Sequence, residues 1–188
     1  MTAPPILRVA ILGAESTGKS TLAAALAERY ATRWVPEYLR EFVETRQRVP
    51  FEADQAFIAG MQMEREDEAA RRAIRILFCD TTPLMTAIYS RFYWHRVDEA
   101  VASLAEPHRY DLTVVTAPDT PWEPDGLQRE SAQVRAHIHQ QVLHTLDVRG
   151  IGWHLVEGSV QERVDHVVRL LSDMGACPPA GAVSESGA

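Results

Sequence analysis

The sequence predicts an α/β fold with three layers, α/β/α, built on a five-stranded parallel sheet. Five short, mostly apolar segments alternate with segments whose apolar residues recur at helical spacing. This alternation is typical of a doubly wound parallel sheet that carries helices on both faces. A length of 188 residues and a hydrophobic fraction of 46 % suit one domain with a complete core.

Strands are predicted where apolar residues run together, and helices where they recur every three or four positions. The predicted strands are 6–12, 32–35, 74–79, 112–116 and 153–156. The predicted helices are 21–30, 51–73, 82–91, 97–104, 128–148 and 160–171. In the helix 51–73, Asp67 and Glu68 stand four residues before Arg71 and Arg72, a pairing that suits a solvated face. Gly150 ends the helix 128–148.

Residues 1–175 are expected to form one domain, and 176–188, rich in Gly, Ala, Pro and Ser, a disordered tail. The sequence contains no signal-peptide pattern and no apolar run of membrane length. The two cysteines, Cys79 and Cys177, have no metal or disulfide spacing. We therefore expect a cytoplasmic protein without a membrane partner. A net charge of −7 without a dense Lys/Arg patch argues against a nucleic-acid partner.

The segment GAESTGKS, from Gly13 to Ser20, is a complete G-x-x-x-x-G-K-[ST] motif between the first predicted strand and the first predicted helix. In that setting the backbone N–H groups of the loop face a polyphosphate, and this motif identifies a P-loop NTPase. Lys19 would reach the β- and γ-phosphates, and Ser20 would ligate Mg²⁺. The predicted ATP-binding residues are Gly13, Glu15, Ser16, Thr17, Gly18, Lys19, Ser20 and Thr21.

Ligands of a doubly wound sheet bind beyond the carboxyl ends of its strands, so the residues that follow each strand are candidate site residues. Asp80 follows the third strand, where a P-loop enzyme places an acidic residue that holds Mg²⁺ directly or through water. Asp80 could equally cap the helix that starts near Thr82, and both roles can coexist.

Glu37 follows the second strand, at the junction that faces the acceptor hydroxyl in small-molecule kinases of this architecture. A carboxylate there can accept the hydroxyl proton or bind hydroxyls of the acceptor. Arg40 is close enough in sequence to share the pocket. The alternative is an exposed helix start, where acidic residues are favoured in any case.

The segment 118–135 is rich in turn-forming residues and then becomes helical, which predicts a lid over the bound nucleotide. Arg129 is the first candidate to neutralise charge on the transferred phosphoryl group. Trp122 could stack on a planar ring or anchor the lid, and Asp125 could contact the acceptor.

Five motifs, in this order, resemble the ribosylnicotinamide kinase domain of NadR-type proteins. They are GAESTGKST, PEYLRE, CDTT followed by Thr86 and Tyr89, YDL, and PDTPW-x-x-DG, and they lie within residues 6–172. The resemblance implies a nucleoside-kinase-like fold and transfer of the ATP γ-phosphate to the 5′-hydroxyl of nicotinamide riboside. It also implies that Tyr38 and Tyr89 belong to the acceptor site. NadR-type proteins carry an adenylyltransferase domain before the kinase. The first predicted strand of this chain begins at Ile6, so we expect a free-standing kinase domain here.

The expected function is ATP- and Mg²⁺-dependent phosphorylation of a small hydroxyl-bearing metabolite. Lys19, Glu37, Asp80 and Arg129 are the expected catalytic residues. Two alternatives remain open from the sequence. One is a kinase of another nucleoside or a sugar, since one scaffold serves many acceptors. The other is an ATP-binding switch that has no small-molecule acceptor.

Overall fold

The computed structural model describes residues 6–121 and 131–179. Its parallel sheet has the strand order β2-β3-β1-β4-β5. The strands are β1 (Leu7–Leu12), β2 (Arg33–Val35), β3 (Ile76–Asp80), β4 (Leu112–Thr116) and β5 (His154–Val156). All four strand pairs are parallel, and the predicted α/β fold class is confirmed.

Seven helices lie within the described residues. They are α1 (Lys19–Arg29), α2 (Tyr38–Arg46), α3 (Gln55–Ala70), α4 (Pro83–Trp94), α5 (Glu99–Ala105), α6 (Ala132–Val148) and α7 (Val160–Asp173). No helix of these segments is long and apolar enough to cross a membrane.

Most element bounds shift by a few residues from their predictions, and three of the differences have a clear physical cause. Strand β3 begins at Ile76 and not at Ile74, because Ile74 is exposed and Arg75 turns the chain with a φ of +64°. The predicted helix 51–73 is a 3₁₀ turn, Glu52–Asp54, followed by α3. Helix α2 was not predicted, because its nine residues bury only Tyr38 and Phe42 and no Ser, Thr or Asp precedes them.

Apolar side chains fill both faces of the sheet. On one face, β1 packs with α1 and α7 through residues such as Leu26 and Val167, which are fully buried. On the other face, α4 and α6 pack through residues such as Leu84 and Ile138. Ala176, beyond the predicted domain boundary, is buried in the first of these clusters. The sheet is therefore covered on both sides, and its carboxyl edge is left to ligands.

The register of the central strands brings the predicted site residues to one edge. Ala10 of β1 is paired with Cys79 of β3, and Ile11 is paired with Asp80. Val35 at the end of β2 is also paired with Cys79. The phosphate loop, Asp80 and the segment after β2 thus leave the sheet side by side.

Helix α3 carries an ionisable side chain, Glu66, into the layer between the helix and the sheet. Glu66 is 2 % exposed. Its carboxylate accepts hydrogen bonds from the Tyr110 hydroxyl at 2.8 Å and from Gln62 Nε2 at 3.3 Å. Burial is the largest influence and raises the pKa of Glu66 to about 7, against these two hydrogen bonds, which lower it.

We predict that Glu66 makes the stability of the fold depend on pH. Its pKa rises from 4.5 to about 7, so the folded state binds the proton more tightly than the unfolded chain. The stabilisation is complete below the unfolded pKa and is lost as the pH rises through the folded pKa. Between about pH 5 and about pH 8, the wild type should lose about 2 kcal/mol of unfolding free energy relative to Glu66→Gln. Urea denaturation at several pH values measures the difference. A difference in unfolding free energy between the wild type and Glu66→Gln that does not change with pH would contradict the prediction.

Candidate active site

The phosphate loop joins β1 to α1, and its conformation requires glycine at two positions. Gly13 has a φ of +147°, and a Cβ atom there would lie 2.3 Å from Thr116 Oγ1. Gly18, with a φ of +80°, is the left-handed residue that opens α1. The Thr17 hydroxyl donates to the Ala14 carbonyl at 2.8 Å and lies 2.6 Å from Thr116 Oγ1. The loop is thus held to the end of β4.

Lys19 and Ser20 begin α1 and extend toward the loop and β3. The Lys19 ammonium donates to the Ala14 carbonyl at 2.8 Å, across the mouth of the loop. The Ser20 hydroxyl donates to Asp80 Oδ2 at 2.5 Å. The three side chains are therefore gathered at the start of one helix, where phosphate binding is favoured by backbone N–H groups and the helix dipole.

Ser20 and Asp80 fit a magnesium site. The Oδ1 atom of Asp80 is buried and has no hydrogen-bond partner among the described residues. Burial raises the pKa of Asp80, whereas the Lys19 charge and the hydrogen bond from Ser20 lower it. One hydroxyl and one carboxylate are a usual protein contribution to Mg²⁺, which takes its other ligands from phosphates and water. The described segments contain no group of three or more His, Cys, Asp or Glu residues that could hold a metal ion.

Glu37 occupies the N-cap position of α2, and its half-buried side chain lines the same cavity as the phosphate loop. Burial raises the pKa of this carboxyl group most strongly. The charges of Lys19 and Arg40 lower it, and those of Asp80 and Glu15 raise it further.

The cavity has a volume of about 550 Å³ and opens between the phosphate loop, α2 and α4. It is large enough for a nucleoside-sized ligand. The predicted site residues that line it are Gly13, Glu15, Ser16, Thr17, Gly18, Lys19, Ser20, Thr21, Glu37, Arg40 and Tyr89. The lining residues that were not predicted include Leu39, Gln55, Met85, Tyr93 and Trp94. One wall is therefore aromatic and comes from α4.

Tyr38, which the resemblance assigned to the acceptor site, is not among the residues that line this cavity. It is buried, its ring meets Phe57 edge-on at 6.0 Å, and the Arg65 guanidinium lies 4.5 Å from its centroid. It anchors α2 against α3.

Glu15 belongs to the phosphate loop by sequence, but its side chain faces α4. The Tyr89 hydroxyl donates to Glu15 Oε2 at 2.7 Å, and Glu15 Oε1 is buried without a hydrogen-bond partner among the described residues. A carboxylate beside phosphate would be repelled, so this orientation removes its charge from the nucleotide. Burial and the nearby Glu15 charge raise the pKa of Tyr89 well above its usual value.

Trp122, Asp125 and Arg129 lie outside the described residues, so their roles remain predictions. The described ends of this segment contact the phosphate loop. The Thr120 hydroxyl donates to the Ser16 carbonyl at 2.8 Å, and Arg135 donates to the Thr120 carbonyl at 2.9 Å. The predicted lid is thus attached beside the loop.

Arg163 of α7 was missed in the sequence. It is 2 % exposed and pairs with Asp119 through its Nη2 atom. Its Nη1 atom donates to the Thr17 carbonyl at 2.5 Å, and its Nε atom donates to the Gly158 carbonyl at 3.0 Å. Arg163 therefore ties together the loops after β1, β4 and β5. A charged residue four positions before the buried Val167, on the apolar face of α7, was the available signal.

By sequence, the chain matches a family model and two NadR proteins. Residues 8–163 match a family model described as an AAA domain. The chain is 31 % identical over 172 residues to the trifunctional NAD biosynthesis/regulator protein NadR of Salmonella typhimurium, covering 88 % of this chain and 42 % of NadR. The NadR of Escherichia coli is 32 % identical over 139 residues, which is 72 % of this chain and 34 % of NadR. The chain spans less than half the length of these relatives. The resemblance to NadR-type proteins is confirmed.

Solved structures share the fold. A structure of NadR in complex with NR has a TM-score of 0.77 at 20 % identity, covering 93 % of this chain and 51 % of that chain. NadR in complex with NAD and AMP-PNP has a TM-score of 0.73 at 21 % identity, covering 89 % of this chain and 49 % of that chain. Thymidylate kinase from Candida albicans has a TM-score of 0.65 at 13 % identity, covering 93 % of this chain and 95 % of that chain. The chain belongs to the AAA domain family and has the P-loop fold of nucleoside and nucleotide kinases.

Proposed function

We propose that this chain is an ATP- and Mg²⁺-dependent kinase that phosphorylates the 5′-hydroxyl of nicotinamide riboside and so forms nicotinamide mononucleotide. The observation that carries the proposal is that the phosphate loop, Glu37 and the aromatic wall of α4 line one cavity. The relatives support it, because they are NAD biosynthesis proteins, and a NadR protein has been solved with NR.

In this proposal the nucleotide half of the site uses groups that begin α1. The loop N–H groups and Lys19 hold the β- and γ-phosphates, and Ser20 and Asp80 would hold Mg²⁺. When bound, Mg²⁺ neutralises charge on the phosphate oxygens. Catalysis of phosphoryl transfer depends mainly on such positioning and charge neutralisation.

Glu37 serves the acceptor. Its carboxylate orients the hydroxyl and accepts its proton while the hydroxyl oxygen bonds to the γ-phosphorus. The bond from this phosphorus to the β,γ-bridging oxygen breaks, and ADP leaves with that electron pair. The raised pKa of Glu37 makes it a stronger base than a solvated carboxylate, and the Lys19 charge limits that rise in pKa.

The charge and aromatic character of the acceptor half favour a cationic ring. Nicotinamide joined to ribose is a pyridinium cation. Glu15 and Glu37 supply negative charge, and Tyr89 and Tyr93 form a near-parallel pair with ring centroids 6.2 Å apart. A cation gains from both carboxylates and aromatic faces, most of all where water is excluded. A neutral nucleoside would gain only the stacking.

The first test is an ATP-consumption screen of the purified protein against nucleosides and sugars. We expect rapid turnover with nicotinamide riboside and slow turnover without an acceptor, because a closed kinase site excludes water. Lys19→Ala is the matched control and should abolish transfer while leaving the fold intact, since Lys19 is not part of the core. Preference for another nucleoside would redirect the proposal to that acceptor. Hydrolysis that no acceptor accelerates would contradict it and would favour an ATP-binding switch.

The second test separates the two halves of the site. Glu37→Gln should lower turnover by about 10²-fold, the low end for a general base, with little change in the KM for ATP. Asp80→Asn should instead raise the Mg²⁺ concentration needed for half-maximal rate. Steady-state kinetics with each substrate varied would measure both. If Glu37→Gln leaves both acceptor constants untouched while Asp80→Asn abolishes acceptor binding, the acceptor has been assigned to the wrong strand end.

A further inference from the structure

The two proposed catalytic carboxylates, Glu37 and Asp80, lie just beyond the last residue pair that joins β2 to β3. The pairing of β2 with β3 ends at Val35 and Cys79. Glu37 and Asp80 follow that point, and the next backbone N–H, that of Thr81, donates to Ile11 of β1. The spacing of the carboxylates therefore depends on contacts other than the β2–β3 ladder.

Gln62 of α3 contacts both segments. Its side chain is 2 % exposed. Its Oε1 atom accepts a hydrogen bond from the Tyr38 N–H at 2.9 Å, and its Nε2 atom donates to the Asp80 carbonyl at 3.5 Å. The same nitrogen donates to Glu66 Oε1 at 3.3 Å, which fixes the amide with its oxygen toward α2. One buried amide thus bridges the residue after Glu37 and the backbone of Asp80.

Glu37 sits where a helix usually takes a cap from its own chain. It is the N-cap residue of α2, yet its side chain accepts no hydrogen bond from the first turn. The first N–H groups of a helix have no partner within the helix. The Gln62 oxygen, from a neighbouring helix, accepts the N–H of Tyr38, the first residue of α2. The Glu37 carboxylate makes no cap hydrogen bond and lines the cavity.

We propose that Gln62 is a positioning residue that ties the first N–H of α2 to the backbone of Asp80 and so holds Glu37 in place relative to Asp80. The inference rests on the proposed function, since it takes Glu37 to be the residue that handles the acceptor. Without Gln62, the Tyr38 N–H loses its buried acceptor, and the start of α2, with Glu37, is free to shift relative to Asp80. An error of about 1 Å in such a position can cost about 10²-fold in rate.

The test compares Gln62→Met, which keeps the length of the side chain and loses all three hydrogen bonds, with Gln62→Glu, which keeps the acceptor oxygen. Gln62→Met should lower kcat/KM for the acceptor by about 10- to 100-fold and leave the KM for ATP within about twofold. Relative to the wild type at the same pH, Gln62→Glu should recover part of that loss at low pH, where a protonated carboxyl group can donate in place of Nε2, and little of it at high pH. The control Thr113→Val, in β4, removes a partly buried hydrogen bond to His108, so it should lower the melting temperature without changing the acceptor constants. If Gln62→Met fails to fold, Gln62→Asn withdraws the oxygen by one methylene and serves the same comparison.

A double-mutant cycle decides whether Gln62 acts through Glu37. In a Glu37→Gln background, Gln62→Met should change kcat/KM by less than about twofold, because coupled residues are not additive. A full, additive loss in that background would overturn the inference and leave the proposed function standing, as would wild-type acceptor kinetics in Gln62→Met. Wild-type acceptor kinetics in Glu37→Gln alone would instead refute the assigned role of Glu37, and with it this inference.

Discussion

The positive charge of Lys19 opposes the effect of burial on the pKa of two carboxyl groups, and our account of the site depends on that balance. Burial raises the pKa of Glu37 and of Asp80, and Lys19 lowers both. An unopposed rise would favour the protonated forms of both groups, which bind a metal and accept a proton less well. We propose that this balance lets Asp80 serve Mg²⁺ while Glu37 serves the acceptor. The ammonium group that binds phosphate would thus also set the charge of the residues around it.

Backbone constraints bring these charges together. The strand order places β1 between β3 and β4, so the phosphate loop leaves the sheet beside Asp80 on one side and Thr116 on the other. Thr116 leaves no room for a side chain at Gly13. Arg163 of α7 also holds the loop, through the Thr17 carbonyl. The Thr116 and Arg163 contacts hold the loop before any ligand binds, which reduces the entropy lost on binding.

The sequence predicts the parts of this site whose residues are adjacent in the chain. The phosphate loop could be identified because its fixed residues are adjacent and flanked by a strand and a helix. Gln62 and Arg163 were missed, because their partners lie 24 and 146 residues away in the chain. Helix α2 was missed because it is short and buries only Tyr38 and Phe42. The side chain of Glu15 was assigned to the nucleotide by position in the motif, whereas its bond to Tyr89 directs it toward α4.

The central claim is that one cavity holds the γ-phosphate and the acceptor hydroxyl in line, with Glu37 on the acceptor. A crystal structure with AMP-PNP, Mg²⁺ and nicotinamide riboside tests it most directly. The account predicts the 5′-hydroxyl within about 3 Å of the Glu37 carboxylate, on the side of the γ-phosphate away from the loop. Nicotinamide riboside bound outside the space between Glu37 and Tyr89, or with its 5′-hydroxyl turned away from the γ-phosphate, would contradict it.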